Sequence, residues 1–250
     1  MRNHENQAAT LDPHEVDQFA RLASEWWNPK GKFRALHQIG PARLTFLRDE
    51  MMRQFAMPKG GLRPLAGLRL LDVGCGGGLI CEPLTRLGAG VTGLDPAPEN
   101  IAAARQHAAG QGLAIDYRAG RIEELTAEGA AFDVVVCLEV VEHVPDVVAF
   151  LATCGGLVRP GGLLLLSTIN RTVKAYLLAI VGAEYVLRWL PVGTHQWERF
   201  VTPDELARHV RAAGFGAPVF KGLVYSPIAD SWSLGTDTDV NYLASAPKPA

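Results

Sequence analysis

The run Leu138-Glu139-Val140-Val141-Glu142-His143-Val144 sets two carboxylates and an imidazole directly after FDVVVC, one of the most apolar stretches of the chain. Glu139, Glu142 and His143 are spaced i, i+3, i+4, which places side chains on one face of a helical turn. Such a trio could hold one divalent ion, take up a proton, or cap the helix that follows. A second constellation lies upstream. LLDVGCGGGLI puts Asp72, Gly74, Gly76 and Gly78 in D-x-G-x-G-x-G spacing. Glycine permits a tight turn and lets a ligand approach the backbone, and the helix N-terminus that follows offers free N–H groups to an anionic group. Asp95 ends the next apolar run, 21 residues after Gly74, where an acidic side chain can accept bonds from both hydroxyls of a ribose. A dinucleotide enzyme would need a third glycine in G-x-G-x-x-G spacing, but the two frames put Leu79 and Cys81 there. A nicotinamide oxidoreductase therefore loses ground, and a plain strand-to-helix turn is the simpler alternative.

These residues need a scaffold that holds them together. LRLLDVG, VTGLD, AIDYRAG, FDVVVCLE and LLLLSTI read as short apolar strands, and the segments between them as helices: LICEPLTRLG, PENIAAARQHAAGQG and VPDVVAFLATCGGLV. Alternating strands and helices predict an α/β, doubly wound, mostly parallel sheet, and continuously apolar strands predict that both its faces are covered. Upstream, apolar residues at helical spacing predict a helix from Glu15 to Trp27, and a second helix is expected from Pro41 to about Phe55. Residues 1–14 read as a flexible arm and residues 15–250 as one domain. Within it, 15–65 supply N-terminal helices and 170–200 an insertion after the fifth strand. TPDELARHVRAAGFG is a further helix, and PVFKGLVYS and VNYLASA close the chain as strands.

With 250 residues, 48% of them hydrophobic, the chain can bury one large core. A net charge of −2 and the lack of a long Lys/Arg cluster give no nucleic-acid footprint. Four cysteines without a C-x-x-C pair, and an N-terminus without an apolar signal core, predict a cytoplasmic protein with reduced thiols.

The glycine turn resembles the first motif of class I S-adenosylmethionine-dependent methyltransferases, over about residues 66–169. The flanks are more specific. SEWWNPKGKFRALHQIGPARLTFL, VGAEYVLRWLPVGTHQW and GLVYSPIADSWSLGTDTDVNYL resemble the ubiquinone-biosynthesis O-methyltransferases, extending the likeness to about residues 12–246. This resemblance implies a Rossmann-like sheet of seven strands and S-adenosyl-L-methionine as cofactor. Asp95 would hold its ribose, and Gly74, Gly76 and Gly78 would lie beside its methionine part. Asp72 would orient the loop, Leu138 would contact the cofactor, and Arg43 would pair with the methionine carboxylate. The implied substrates are polyprenylated catechol and demethylubiquinol phenols. Val224 departs from the family pattern, since a histidine stands there in some members.

A phenol ionises near pKa ~10, so methyl transfer to it needs a base or an electrophilic ion. His143 with Glu142 is one candidate for the base. Glu139, Glu142 and His143 around magnesium are the other, although the imidazole would suit manganese, iron or zinc better. The same spacing also occurs in methyltransferases that use no metal. Finally, within the segment 171–190, residues 175–190 are apolar almost all round, interrupted by Glu184 and Arg188, and Arg171 and Lys174 flank their start. They read as a helix lying in the inner membrane surface or covering a polyprenyl tail, with burial in the protein or in a dimer contact as the alternative. Other enzymes of the ubiquinone pathway are candidate partners.

Overall fold

The computed structural model describes residues 12–58, 60–177, 197–226 and 229–250. The apolar runs become the strands β1 (Arg69–Val73), β2 (Gly90–Asp95), β3 (Asp116–Ala119), β4 (Phe132–Leu138) and β5 (Val158–Ile169). β6 (Val219–Ser226), β7 (Ser231–Gly235) and β8 (Asn241–Pro247) complete one sheet in the order β3-β2-β1-β4-β5-β8-β6-β7. The first five are parallel, and β8, β6 and β7 add to the β5 edge in antiparallel fashion. The doubly wound α/β expectation therefore holds, with one correction: among the described residues the sheet has eight strands, not seven. The unexpected strand is β7, whose sequence SWSLG sits among Ser, Asp, Thr and Gly and reads as loop. It is recruited by pairing with β6 and by packing Trp232 and Leu234 against the apolar cluster under the N-terminal helices.

The helices are α1 (Pro13–Ala20), α2 (Arg34–Gln54), α3 (Cys81–Arg86), α4 (Pro98–Gly110), α5 (Ile122–Ala127) and α6 (Val147–Leu157). The single turn α7 (Val173–Ala175) and α8 (Pro203–Ala212) follow. Side-chain caps fix three starts: Asp146 accepts the Ala149 N–H at 3.0 Å, Thr172 accepts the Ala175 N–H at 2.9 Å, and Thr202 forms a reciprocal capping box with Glu205. Two core clusters cover the two faces of the sheet. One packs α5, α6 and α8 residues, including Leu125, Leu151 and Leu206. The other packs α2, α3 and α4 residues, including Leu47, Leu84 and Ile101.

Two N-terminal expectations shift. α2 starts seven residues before Pro41 and carries that proline inside it. The missing N–H costs helix stability, but burial of Ile39, Phe46, Leu47 and Met51 on one face offsets it. The helix expected from Glu15 to Trp27 stops at Ala20, and a short 3₁₀ turn at Ala23–Glu25 follows. A continuous helix would point Trp26 and Trp27 about 100° apart. In the fold both tryptophans engage the glycine turn, Trp27 through the Gly77 carbonyl and Trp26 over Gly76 and Gly77. Most of the arm, residues 1–11, lies outside the described residues, and so does most of the apolar segment, residues 178–196. No helix among the described residues is long and apolar enough to cross a membrane.

Candidate active site

The carboxyl ends of β1, β2 and β4 meet where the strand order reverses, the position at which ligands bind open α/β sheets. A cavity of about 1000 Å³ opens there. Asp72, Gly74, Gly76, Asp95, Leu138, Glu139, His143 and Arg43 all line it, whereas Gly78 and Glu142 lie behind its wall.

The glycine turn is tied to the end of β2 by bonds from the Gly74 and Cys75 N–H groups to the Leu94 carbonyl. Gly74, Gly76 and Gly78 have φ of 71°, 53° and 86°, conformations that favour glycine. The space that their missing Cβ atoms leave is filled by the protein itself. Val140 occupies it at Gly74, the Trp26 ring at Gly76 and Gly77, and the Tyr117 hydroxyl at Gly78. The expectation that the glycines serve close approach of a ligand is therefore incomplete, because they also admit three of the chain's own side chains. The loop's N–H groups are likewise not all free for an external anion. Gly76 donates to Asp95 Oδ2 at 2.9 Å.

Asp95 is buried and fixed from several sides. Its Oδ1 accepts from the Ala97 N–H at 2.9 Å and from Asn100 Nδ2 at 3.0 Å. Burial raises its pKa, and the bonds from Ala97, Asn100 and Gly76 counter that rise. Asp72 lies deeper. Burial pushes its pKa up to about 7, opposed by the bond from the Cys81 thiol at 3.2 Å and reinforced by the Asp95 charge. All four cysteines are buried and free.

After β4 the chain does not form the helical turn that the i, i+3, i+4 spacing predicts. Glu139 has φ +54°, and residues 141–143 form a turn. The three side chains consequently diverge. Glu139 Oε1 accepts from Arg43 Nη2 and from Ser167 Oγ, each at 2.6 Å. Glu142 turns inward, where its Oε2 accepts from Thr168 Oγ1 at 2.8 Å and its Oε1 is buried with no hydrogen-bond partner. His143 faces the cavity with Phe19 edge-on to its ring at 5.6 Å. Among the described residues no group of three or more His, Cys, Asp or Glu side chains is placed to hold a metal ion. The expected face of Glu139, Glu142 and His143 is thus not assembled, because one carboxylate is committed to Arg43 and another to the strand behind. Burial and the Glu139 charge raise the pKa of Glu142, while positive charge on His143 lowers it.

Arg43 is buried at 4% exposure, and its Nε has no partner. A buried guanidinium with unused donor capacity at a cavity wall is suited to an incoming carboxylate.

Residues 71–166 match the methyltransferase domain family. A protein from Azorhizobium caulinodans named ubiquinone biosynthesis O-methyltransferase is 54% identical over 242 residues, covering 97% of this chain and 95% of that protein. One of the same name from Brucella anthropi is 52% identical, covering 98% and 99%. The chain belongs to the ubiquinone biosynthesis O-methyltransferase family. It is an S-adenosylmethionine-dependent O-methyltransferase of class I. Solved structures agree on the fold. A magnesium protoporphyrin IX methyltransferase from Synechocystis PCC 6803 with bound SAH has a TM-score of 0.65 at 19% identity, covering 93% of this chain and 94% of that one. A SAM-dependent methyltransferase from Thermotoga maritima has a TM-score of 0.60 at 17% identity, covering 94% and 100%.

Several side chains of the enzyme's site carry no sequence signal of their own. Ser167 and Thr168 read as part of an apolar strand, yet they set the directions of Glu139 and Glu142. Asn100 reads as one polar position of a helix, yet it bonds Asp95. Trp26 reads as one apolar position of an amphipathic helix, although the pair Trp26-Trp27 just before a Pro–Gly break was the available clue.

Proposed function

We propose that the enzyme methylates phenolic hydroxyls of polyprenylated catechol and demethylubiquinol intermediates in ubiquinone synthesis. The carrying observation is that one cavity of about 1000 Å³ is shared by the glycine turn with Asp95, by Arg43 and by His143, which is room for a cofactor and an aromatic head together. S-adenosylmethionine, when bound, supplies a sulfonium methyl group to an oxygen aligned behind it. The residues present fit that cofactor. Arg43 would hold its carboxylate, for which the unpartnered buried Nε is the evidence. Asp95, kept in place by three donors, would accept from the ribose hydroxyls. Asp72 would orient the turn through its place at the end of β1, and Leu138 would wall the cofactor. Gly74 and Gly76 would let the backbone approach it, and Gly78 would let the turn close on Tyr117.

His143 would take the phenolic proton. It faces the cavity, and the buried Glu142 carboxyl behind it stabilises the positive charge that the imidazole gains. This reading is favoured over magnesium held by Glu139, Glu142 and His143, because the hydrogen bonds of the two glutamates turn them away from a common point. The enzyme would reach its lipid substrate by peripheral association with the inner membrane face through about residues 171–190. Val173, Tyr176 and Leu177, just before the undescribed part of that segment, are 72%, 43% and 53% exposed.

The test is methyl transfer from labelled S-adenosylmethionine to short-tail catechol and demethylubiquinol analogues, with and without excess chelator. Label is expected in both methyl ethers, at a rate the chelator leaves unchanged. No label from a preparation that binds S-adenosylhomocysteine would refute the substrate class. A loss in chelator that magnesium restores would refute His143 as a sufficient base.

A further inference from the structure

The N-terminal segment touches the cofactor turn through two adjacent tryptophans. Trp27 donates its Nε1–H to the Gly77 carbonyl at 2.9 Å and stacks on His107 of α4 at 3.5 Å between ring centroids. Trp26 is buried at 7% exposure, stacks on Phe33 at 3.8 Å and covers the open side of Gly76 and Gly77. Its indole Nε1–H donates to Asn100 Oδ1 at 2.8 Å, and Asn100 Nδ2 donates to Asp95 Oδ1 at 3.0 Å. Asn100 and Asp95 are 1% and 6% exposed, so water does not readily replace either bond.

We propose that Trp26 is a positioning residue of the cofactor site, which orients Asn100 so that Asn100 fixes the Asp95 carboxylate for the ribose. The direction of the relay follows from donor chemistry. An indole N–H can only donate, so the amide of Asn100 must present its oxygen to Trp26 and therefore its NH₂ to Asp95. Without the indole, the buried Asn100 oxygen loses its donor, and the amide is no longer held in the plane that directs its NH₂ at Asp95. The segment before α2 thereby becomes part of the cofactor site, whose cavity Trp26 lines together with Asp95. This rests on the reading of Asp95 as the ribose acid.

The test compares S-adenosylhomocysteine with its 2′,3′-dideoxy analogue by calorimetry on the full chain. Trp26→Phe keeps an aromatic ring on the glycine turn but removes the donor. It is expected to weaken S-adenosylhomocysteine about tenfold and the dideoxy analogue less than twofold, and to raise KM for S-adenosylmethionine with kcat unaltered. Asn100→Leu removes both bonds of the relay without adding a charge beside Asp95 and should show the same ligand dependence, with Trp26→Phe adding no further loss on that background. Equal losses for the two ligands in either variant would overturn the relay and leave Trp26 as packing alone. A wild-type enzyme that binds both ligands equally would instead overturn the ribose role of Asp95.

Discussion

Two acid-bearing turns stand side by side at the carboxyl edge of the sheet, and they treat their buried carboxylates in opposite ways. Asp95, at the end of β2, receives three N–H donors. Glu142, beyond β4, receives one hydroxyl on one oxygen, and its other oxygen has no hydrogen-bond partner. Burial raises the pKa of both, but donors counter the rise at Asp95, whereas the main counterweight at Glu142 is the charge on His143. A fully bonded carboxylate is fixed and holds its charge, as binding requires. An under-committed one beside an imidazole follows that imidazole's charge, as proton transfer requires. On this view the β2 turn binds and the β4 turn reacts.

The largest effect is expected on the reacting side. His143→Ala should lower the maximal rate of methyl transfer by roughly 10²–10⁴-fold, read in single-turnover assays. On the binding side, Asp95→Asn should weaken S-adenosylhomocysteine by about 10–100-fold in calorimetry, because a charged acceptor is lost. Gly76→Ala breaks the binding turn by another route. A Cβ at φ +53° meets the Trp26 ring, so stability should fall by about 2 kcal/mol in urea titrations.

Asp72, at the start of the binding turn, adds an effect that depends on pH. Its pKa of about 7 in the folded enzyme, against 3.8 ordinarily, means that the folded state holds this proton more tightly than the unfolded chain does. The carboxyl's contribution is then fully present below about pH 4 and is lost as pH rises towards 7. Asp72→Asn should gain on the wild type across that window, by no more than about 1.4 kcal/mol per pH unit, in denaturant titrations at stepped pH.

The sheet was legible because buried parallel strands leave continuous apolar runs, and the position of Asp95 at the cavity was legible because it ends one of those runs. β7 was not, since SWSLG gains its strand character from β6 and from the packing of Trp232 and Leu234. The arrangement of Glu139, Glu142 and His143 was not legible either. Their spacing suits a helix, but Arg43 and Ser167 hold Glu139 in the left-handed region and Thr168 draws Glu142 inward. Those partners lie at least 25 residues away along the chain. The role of Trp26 was hidden for the same reason, since Asn100 is 74 residues away.

The most direct test of the division between binding and reacting turns is the single-turnover rate as a function of S-adenosylmethionine concentration, measured for Asp95→Asn and His143→Ala beside the wild type. Asp95→Asn should shift the half-saturating concentration upward and reach a near-normal plateau, whereas His143→Ala should keep the half-saturating concentration and lose the plateau. A normal plateau in His143→Ala, or equal losses of both quantities in the two variants, would contradict that division.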